Sequence, residues 1–124
     1  MIDLEEYNTY YGIDLAKSMD SRDRRYVYVV KSNLTGYVKI GMSKLIGKRF
    51  KDIQNIGGFE ITPLLIIPCV GAKNLEKDLH DEFDEFRTKF GEWFKYEKEL
   101  EEFVNNYYNK FNIDIYHEYL YKRS

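Results

Sequence analysis

The sequence predicts a small α+β domain: a small central sheet that begins with an antiparallel hairpin and is flanked by helices. Apolar residues alternate along 25–31 and again along 37–42, which is the pattern of two half-buried strands. They recur with helical spacing along 43–56 and 73–90. Residues 61–67 form a continuous apolar run, typical of a buried strand. The predicted order is β-β-α-β-α, with helical additions at the N- and C-terminal ends.

The hairpin is predicted to turn at Asn33–Gly36, where glycine supplies a positive φ. A loop of that length sets Tyr28 opposite Gly41 and Val30 opposite Lys39. Tyr28 and Lys39 then lie diagonally on one face of the sheet, and the glycine leaves space across from the tyrosine ring. The register therefore predicts a polar spot on an otherwise apolar hairpin.

The first helix is predicted to begin after Ser43, a residue type that caps helix N-termini, and to end at the glycine pair after Ile56. Its apolar stripe consists of Ile46, Phe50 and Ile53. Arg49 lies at the edge of this stripe rather than opposite it. In the strand that follows, Pro63 is expected to move the paired portion towards Leu64 and beyond.

The second helix, over 73–90, is the clearest in the chain. Its apolar stripe consists of Leu75, Leu79, Phe83, Phe86 and Phe90. Glu76, His80 and Arg87 fall along one flank of that stripe, at spacings of four and seven residues. The GEWF sequence that follows indicates a sharp turn and a short strand. The sequence therefore predicts that these three polar side chains share one helix flank.

The chain is predicted to divide into three parts. Residues 1–24 read as an N-terminal accessory helical segment, and residues 25–95 as the core domain. Residues 96–124 read as a C-terminal helix and an aromatic tail packed on the core. A length of 124 residues suits one domain with one modest core.

Cysteine content and hydropathy exclude several classes of protein. Cys69 is the only cysteine, so neither an intramolecular disulfide nor a cysteine-based zinc site can form. The chain shows no secretory signal and no apolar run of membrane-spanning length. We therefore expect a cytoplasmic protein with no membrane partner.

The net charge of −2 does not by itself indicate a nucleic-acid-binding protein, but the charges are unevenly distributed. Residues 22–54 contain nine Lys or Arg against two Asp or Glu, whereas residues 74–102 contain five against eleven. A basic face can contact a phosphate backbone, can dock onto a protein, or can simply be solvated. Aromatic residues make up 17% of the chain and fit either an aromatic-rich core or a surface that stacks on bases.

Four side chains at the margins of these patterns suit one chemistry. Hydrolysis of a phosphodiester needs an activated water, a cation beside the developing phosphorane charge, and usually a carboxylate-bound metal. Tyr28 and Lys39 are candidates for the base, Arg49 for the cation and Glu76 for the carboxylate. Each of the four also has a purely structural interpretation, as a packing, solvated or ion-paired residue.

The hairpin and both helices resemble the GIY-YIG nuclease superfamily. Tyr26-Val27-Tyr28 stands where G-I-Y would be, Lys39-Ile40-Gly41 stands where Y-I-G would be, and Arg49 falls at the position of the essential arginine. The stretch LEKDLHDEFDEFRTKFGEWF resembles a phage-associated branch that combines V-K-I-G with L-E-x-x-L-H and G-E-W-F. The resemblance covers about residues 25–95. Three positions depart from the superfamily pattern: Tyr26 replaces its first glycine, Lys39 its second tyrosine, and Ile53 its histidine.

The resemblance implies a metal-dependent DNA endonuclease with Tyr28, Lys39, Arg49 and Glu76 as catalytic residues. Lys39 would lower the pKa of Tyr28, and Glu76 would hold one Mg²⁺ or Mn²⁺ ion. Supporting roles are expected for His80, Arg87 and Glu92. Nucleic acid is expected to contact Lys31, Lys44, Lys48 and Lys51.

A second interpretation stays open from the sequence. The small size and net acidity also suit a catalytically inactive GIY-YIG-like domain that binds nucleic acid or a host protein, as a phage accessory protein or inhibitor. A third is an accessory subunit that forms homo-oligomers through its aromatic ends. Bound metal at Glu76, with Tyr28 and Arg49 facing it across an open groove, would distinguish the first interpretation from the second.

Overall fold

A computed structural model describes residues 2–9 and 25–111. The described strands are β1 (Asn8–Thr9), β2 (Arg25–Ser32), β3 (Val38–Ser43), β4 (Ile61–Val70) and β5 (Trp93–Phe94). The described helices are α1 (Ile46–Gly57), α2 (Ala72–Glu82) and α3 (Lys98–Tyr107), with 3-10 turns at Leu4–Glu6 and Asp84–Phe86. The α+β class and the order β-β-α-β-α from β2 to α2 are confirmed.

The strands described form one antiparallel sheet in the order β1-β4-β2-β3-β5. The predicted hairpin register is confirmed, because Tyr28 pairs with Gly41 and Val30 pairs with Lys39. The longest strands, β2 and β4, therefore lie in the middle of the sheet, and the short β5 covers only part of the outer edge of β3.

Helices cover both faces of the sheet, and each face has its own core. On one face, α2 and α3 bury Leu75, Leu79, Leu100, Phe103 and Val104 against Val27, Val29, Val38, Ile40, Leu65 and Ile67. On the other face, α1 buries Ile46, Phe50 and Ile53 against Tyr26, Tyr28, Val30 and Ile66. The alternation along β2 sorts its side chains between the two cores, as a strand covered on both faces requires.

Helix α1 begins later than predicted. Ser43 is the last residue of β3, and its hydroxyl accepts a hydrogen bond from the Leu45 N–H instead of capping the helix. The helix begins at Ile46, with Leu45 at the N-cap position and no side-chain cap. It ends at the glycine pair as predicted, since Gly57 is its last residue and Gly58 has a φ of 71°.

Helix α2 is shorter than predicted and ends at Glu82 instead of residue 90. The chain continues in a 3-10 turn and becomes extended at Arg87, which forms a β-bridge with Phe94. An α-helix that ran to residue 90 would prevent this bridge. Phe90, expected in the apolar stripe, is instead 62% exposed.

Strand β4 pairs along its whole length, so the expectation that pairing begins only near Leu64 is wrong. Pro63 lies opposite Val30, beside a register shift that accommodates it. Pro68 and Ile66 are two residues apart on β4, so their backbone nitrogens face the same side of the strand. The Ile66 N–H donates to the Phe111 carbonyl rather than to β2. The absent N–H of Pro68 is therefore not needed for pairing with β2.

The two ends of the chain are described only in part. Residues 2–9 contribute a 3-10 turn and a strand rather than the expected helices, because Asn8 and Thr9 pair with Val70 and Cys69 at the sheet edge. The remainder of the predicted N-terminal helical segment, residues 10–24, and the aromatic tail, residues 112–124, lie outside the described residues. Within the described ranges, no helix is long and apolar enough to cross a membrane.

Gly41 is required by the tyrosine that crosses it. A Cβ atom at Gly41 would overlap the Tyr28 hydroxyl and would lie 2.6 Å from its Cζ atom. Tyr28 is 1% exposed and packs edge-on against Phe50, with ring centroids 5.5 Å apart. The ring is therefore confined between β3 and α1.

We predict that Gly41→Ala destabilises the protein by about 1–3 kcal/mol, because the added methyl group overpacks against Tyr28. The measurement is urea unfolding of wild type, Gly41→Ala, Tyr28→Ala and the double variant. In the Tyr28→Ala background the methyl group meets no ring, so its effect should shrink to about 0.5 kcal/mol or less. An equal effect in both backgrounds would contradict the proposed overlap.

Candidate active site

The candidate site lies at the outer edge of β3, where the layers on the two faces of the sheet meet. Among the described residues, β5 pairs only with Val38 and Lys39 of β3. At the next residue, Ile40, the N–H donates to the Glu92 carbonyl, and the carbonyl is 2.7 Å from His80 Nε2. The residue before β5 and a side chain of α2 thus both bond to Ile40, the neighbour of Gly41 in β3.

Burial has the largest effect on the pKa of Tyr28. It raises the pKa of Tyr28 above the ordinary range, and the Glu92 and Glu76 carboxylates raise it further. The Arg49 guanidinium opposes this shift but does not cancel it. The expectation of a lowered pKa is therefore wrong, and the cation that acts on the phenol is Arg49 rather than Lys39.

Arg49 provides an accessible cation at the site. Its neighbour Phe50 anchors α1 in the core, which leaves the Arg49 side chain at the surface. No carboxylate of the described residues forms an ion pair with it. Its charge lowers the pKa of both Tyr28 and Glu76, so the guanidinium lies within electrostatic reach of both groups.

A possible metal centre is formed by Glu76, His80 and Glu92. One ligand atom from each lies within 4.8 Å of the other two. Burial raises the pKa of Glu76, as does the neighbouring Glu92 carboxylate, while His80, Lys39 and Arg49 lower it. Two carboxylates and one imidazole held this close are a donor set that suits a divalent cation.

His80 is oriented by the sheet edge. A carbonyl oxygen can only accept, so Nε2 of His80 donates to the Ile40 carbonyl. A neutral ring then keeps a lone pair on Nδ1, the form in which histidine ligates metals. The ring also packs against Phe94, with centroids 5.2 Å apart. His80 is thus held in one orientation beside Glu76.

Lys39 pairs with Glu92. Its Nζ lies 3.1 Å from Glu92 Oε2 and 5.6 Å from the centre of the Trp93 ring. Lys39 therefore neutralises one carboxylate of the cluster and also lowers the pKa of Glu76. Its charge acts on the acidic groups of the site.

Arg87 does not join the site. Its Nε forms an ion pair with Asp84 at 3.0 Å, and its guanidinium lies over the Phe94 ring at 5.2 Å. The early end of α2 explains this position, because Arg87 is no longer on the helix flank that carries Glu76 and His80. Glu92, which was also expected to support the site, pairs with Lys39.

The four predicted nucleic-acid-binding lysines lie at different places. Lys31 pairs with Val38, whose side chain belongs to the core on the α2 and α3 face, so Lys31 is not on the face that carries Tyr28. Lys44, Lys48 and Lys51 are exposed before and along α1. The Lys48 Nζ lies 3.7 Å from Asp52 on the same helix.

A shallow depression, which we call the cationic cleft, adjoins these groups. Its lining consists of Lys39, Arg49, Asp52, Ile53, Ile56, Gly57, Phe59 and Trp93. A second depression, the aromatic pocket, is lined by Ser32, Thr35, Tyr37, Phe59, Phe90 and Trp93. The sequence pattern indicated no site role for these aromatic residues, because Phe90 fell on the predicted apolar stripe of the second helix and Tyr37 on the predicted second strand, while Phe59 follows the glycine pair outside any regular pattern.

The raised pKa of Glu76 makes the stability of the fold depend on pH. A raised pKa means that folding penalises the ionised carboxylate, so the free energy of unfolding falls as pH rises above about 4.3, the unperturbed value. Glu76→Gln removes the ionisation, and we expect it to raise Tm at about pH 7 but not at about pH 3.5. Thermal melts at both pH values test this, with the exposed Glu85→Gln as the matched control. A Glu76→Gln variant no more stable than wild type at neutral pH would contradict it.

Comparison with known proteins supports a nuclease-like assignment. The T5orf172 domain model matches residues 25–110, which extends beyond residue 95 to include α3. This is a phage-associated domain of the GIY-YIG-like or HNH-type endonuclease kind. No curated protein and no solved structure gives a significant match. Because the match spans more than half of the chain, the protein belongs to the T5orf172 domain family.

Proposed function

We propose that this protein is a metal-dependent endonuclease of the GIY-YIG type that hydrolyses phosphodiester bonds of DNA. The observation that carries the proposal is the cluster of Glu76, His80 and Glu92, which can ligate a divalent ion and lies within electrostatic reach of Tyr28 and of Arg49, whose guanidinium has no ion-pair partner among the described residues. A phosphate beside Arg49 would meet all the groups that such a hydrolysis uses.

Arg49 binds the phosphate and stabilises the charge that develops on its non-bridging oxygens. An exposed guanidinium with no described carboxylate partner can form bidentate hydrogen bonds to a phosphate without first breaking an ion pair. Lys39, on the same cleft, is held by Glu92 and contributes at longer range. Arg49 is therefore the principal phosphate ligand.

Tyr28 orients the attacking water as a neutral phenol. Its raised pKa keeps the hydroxyl protonated at neutral pH, so its oxygen accepts a hydrogen bond from the water rather than removing its proton outright. The water oxygen bonds to phosphorus, the bond from phosphorus to the 3′ oxygen breaks, and the proton lost by the water ends on that oxygen. The products are a 5′-phosphate and a 3′-hydroxyl.

Glu76, Glu92 and His80 are the residues that would hold the metal ion. Carboxylate oxygens suit both Mg²⁺ and Mn²⁺, and an imidazole ligand favours Mn²⁺. When bound, such an ion supplies Lewis-acid stabilisation of the leaving oxygen. The His80 bond to Ile40 fixes the ligand ring, and the Lys39 bond to Glu92 limits the mutual repulsion of the two carboxylates.

Two further features belong to the proposed function: a set of exposed lysines and a cytoplasmic location. The exposed side chains of Lys44, Lys48 and Lys51 contact the DNA strand where it leaves the cleft, and they contribute salt-dependent affinity. The buried Cys69 thiol, which forms no disulfide among the described residues, agrees with a cytoplasmic location.

One observation favours the alternative of a non-catalytic binding domain. The Lys39 ammonium already occupies one side of Glu92, where a metal ion would have to compete with it. In that case the cationic cleft would bind nucleic acid or an acidic surface of a host protein without cleaving it. A cleavage assay on DNA and RNA with Mg²⁺ or Mn²⁺ decides between the two functions.

We predict that Glu76→Gln abolishes metal-dependent cleavage, because the amide keeps the shape of the side chain but removes the anionic ligand. Arg49→Ala should lower kcat/KM by on the order of 10²-fold or more, through loss of the cation beside the phosphate. The measurement is the rate of plasmid nicking with Mn²⁺. Glu85→Gln is the control and should retain wild-type activity; equal loss in Glu85→Gln would point to a folding defect.

We also predict that Lys39→Met moves the pH dependence of Mn²⁺ binding to higher pH. Lys39 lowers the pKa of Glu76, so its removal makes the carboxylate harder to ionise, and a protonated carboxylate cannot ligate the ion. Titration calorimetry from about pH 5 to about pH 8 would follow the midpoint. The control Lys95→Met should leave the midpoint of Mn²⁺ binding unchanged. An unchanged midpoint in Lys39→Met as well would show that Lys39 does not influence the metal site.

A further inference from the structure

The aromatic pocket beside the cationic cleft has no part in the chemistry proposed so far. Its volume is about 190 Å³, and four of its six lining residues are aromatic: Tyr37, Phe59, Phe90 and Trp93. No carboxylate, lysine or arginine lines it. The pocket is therefore an apolar recess in the part of the surface that also carries Lys39 and Arg49.

The pocket and the cleft share a wall. Phe59 and Trp93 line both depressions, and their rings meet edge to face with centroids 5.6 Å apart. The Lys39 ammonium lies over Trp93 on the cleft side. A ligand with one anionic and one flat apolar part could place these parts on the two sides of this wall.

The wall is fixed by the fold. A Cβ atom at Gly57 would lie 2.6 Å from Cζ of Phe59, so the glycine admits this ring against the end of α1. Trp93 is held by the pairing of β5 with Lys39. Phe90, in contrast, is 62% exposed at the pocket, with the Lys89 ammonium 5.5 Å from its ring centroid, and a ligand in the pocket would bury part of this ring.

We propose that the aromatic pocket binds one unstacked nucleobase of the strand whose phosphate lies in the cationic cleft. This inference rests on the proposed function, since it needs a phosphate at Arg49. An apolar cavity of about 150 Å³ accommodates a benzene ring, so a pocket of this volume accommodates a base. A base stacked in a duplex cannot enter, and the preferred substrate is therefore single-stranded or locally unpaired DNA.

A nucleobase fits the combined surface better than an apolar side chain of a protein does. An apolar side chain would fill the pocket but would leave the Arg49 guanidinium, which has no ion-pair partner among the described residues, without an anion. A nucleotide satisfies both halves, with its phosphate on the cations and its ring on the aromatic side chains.

Trp93 is the only tryptophan of the chain, so its fluorescence reports directly on the pocket. The test titrates Glu76→Gln protein, in full length, with three duplexes: fully paired, with one bulged thymidine, and with one bulged abasic residue. We expect the thymidine bulge to quench Trp93 and to bind about 10-fold more tightly than the abasic bulge.

A pair of surface variants completes the test. Phe90→Ala should weaken binding of the thymidine bulge to the level of the abasic one, whereas Tyr108→Ala, an exposed aromatic residue outside the pocket, should not. Melting curves confirm that both variants fold. If the two bulges bind with equal affinity while the wild-type protein cleaves DNA, the proposed base-binding pocket is contradicted and the proposed nuclease activity is not. Absence of both binding and cleavage on every nucleic acid would overturn both proposals.

Discussion

The passage of the Tyr28 ring across Gly41 is the constraint on which the rest of the site depends. The ring leaves β2, crosses β3 where no side chain obstructs it, and packs against Phe50. That contact seats α1 on the sheet and leaves Arg49 at the surface. The same crossing brings the Tyr28 hydroxyl towards Glu76, which belongs to a helix on the opposite face of the sheet. One glycine thus allows groups from two layers to act on a common point.

The site is held together by opposed charges in partial burial. Burial makes ionisation of both Tyr28 and Glu76 less favourable, and Arg49 favours it for both. Lys39 and Glu92 pair at the rim and moderate the repulsion between carboxylates. Such acidic groups destabilise a fold when they are ionised and unliganded, and a bound cation relieves the destabilisation.

The short β5 strand connects the chemistry to the surface that surrounds it. Because β5 pairs with only two residues of β3, the next part of the edge stays open to His80 and Glu92. Its first residue, Trp93, separates the cationic cleft from the aromatic pocket. The sharp turn before it also draws Arg87 out of α2 and away from the site. This short strand therefore leaves part of the edge uncovered and shapes the neighbouring pocket, while Glu92, the residue before it, supplies a carboxylate.

The sequence alone determined the hairpin, its register and the apolar stripe of α1, because alternation and helical spacing are local properties that force side chains onto faces. Tyr28 opposite Gly41 follows directly from this periodicity. Only the tertiary structure decided that Lys39 pairs with Glu92, more than 50 residues away, since that contact depends on which strand covers the edge of β3. It also decided the direction of the Tyr28 pKa, because burial by a whole helix outweighs one nearby cation.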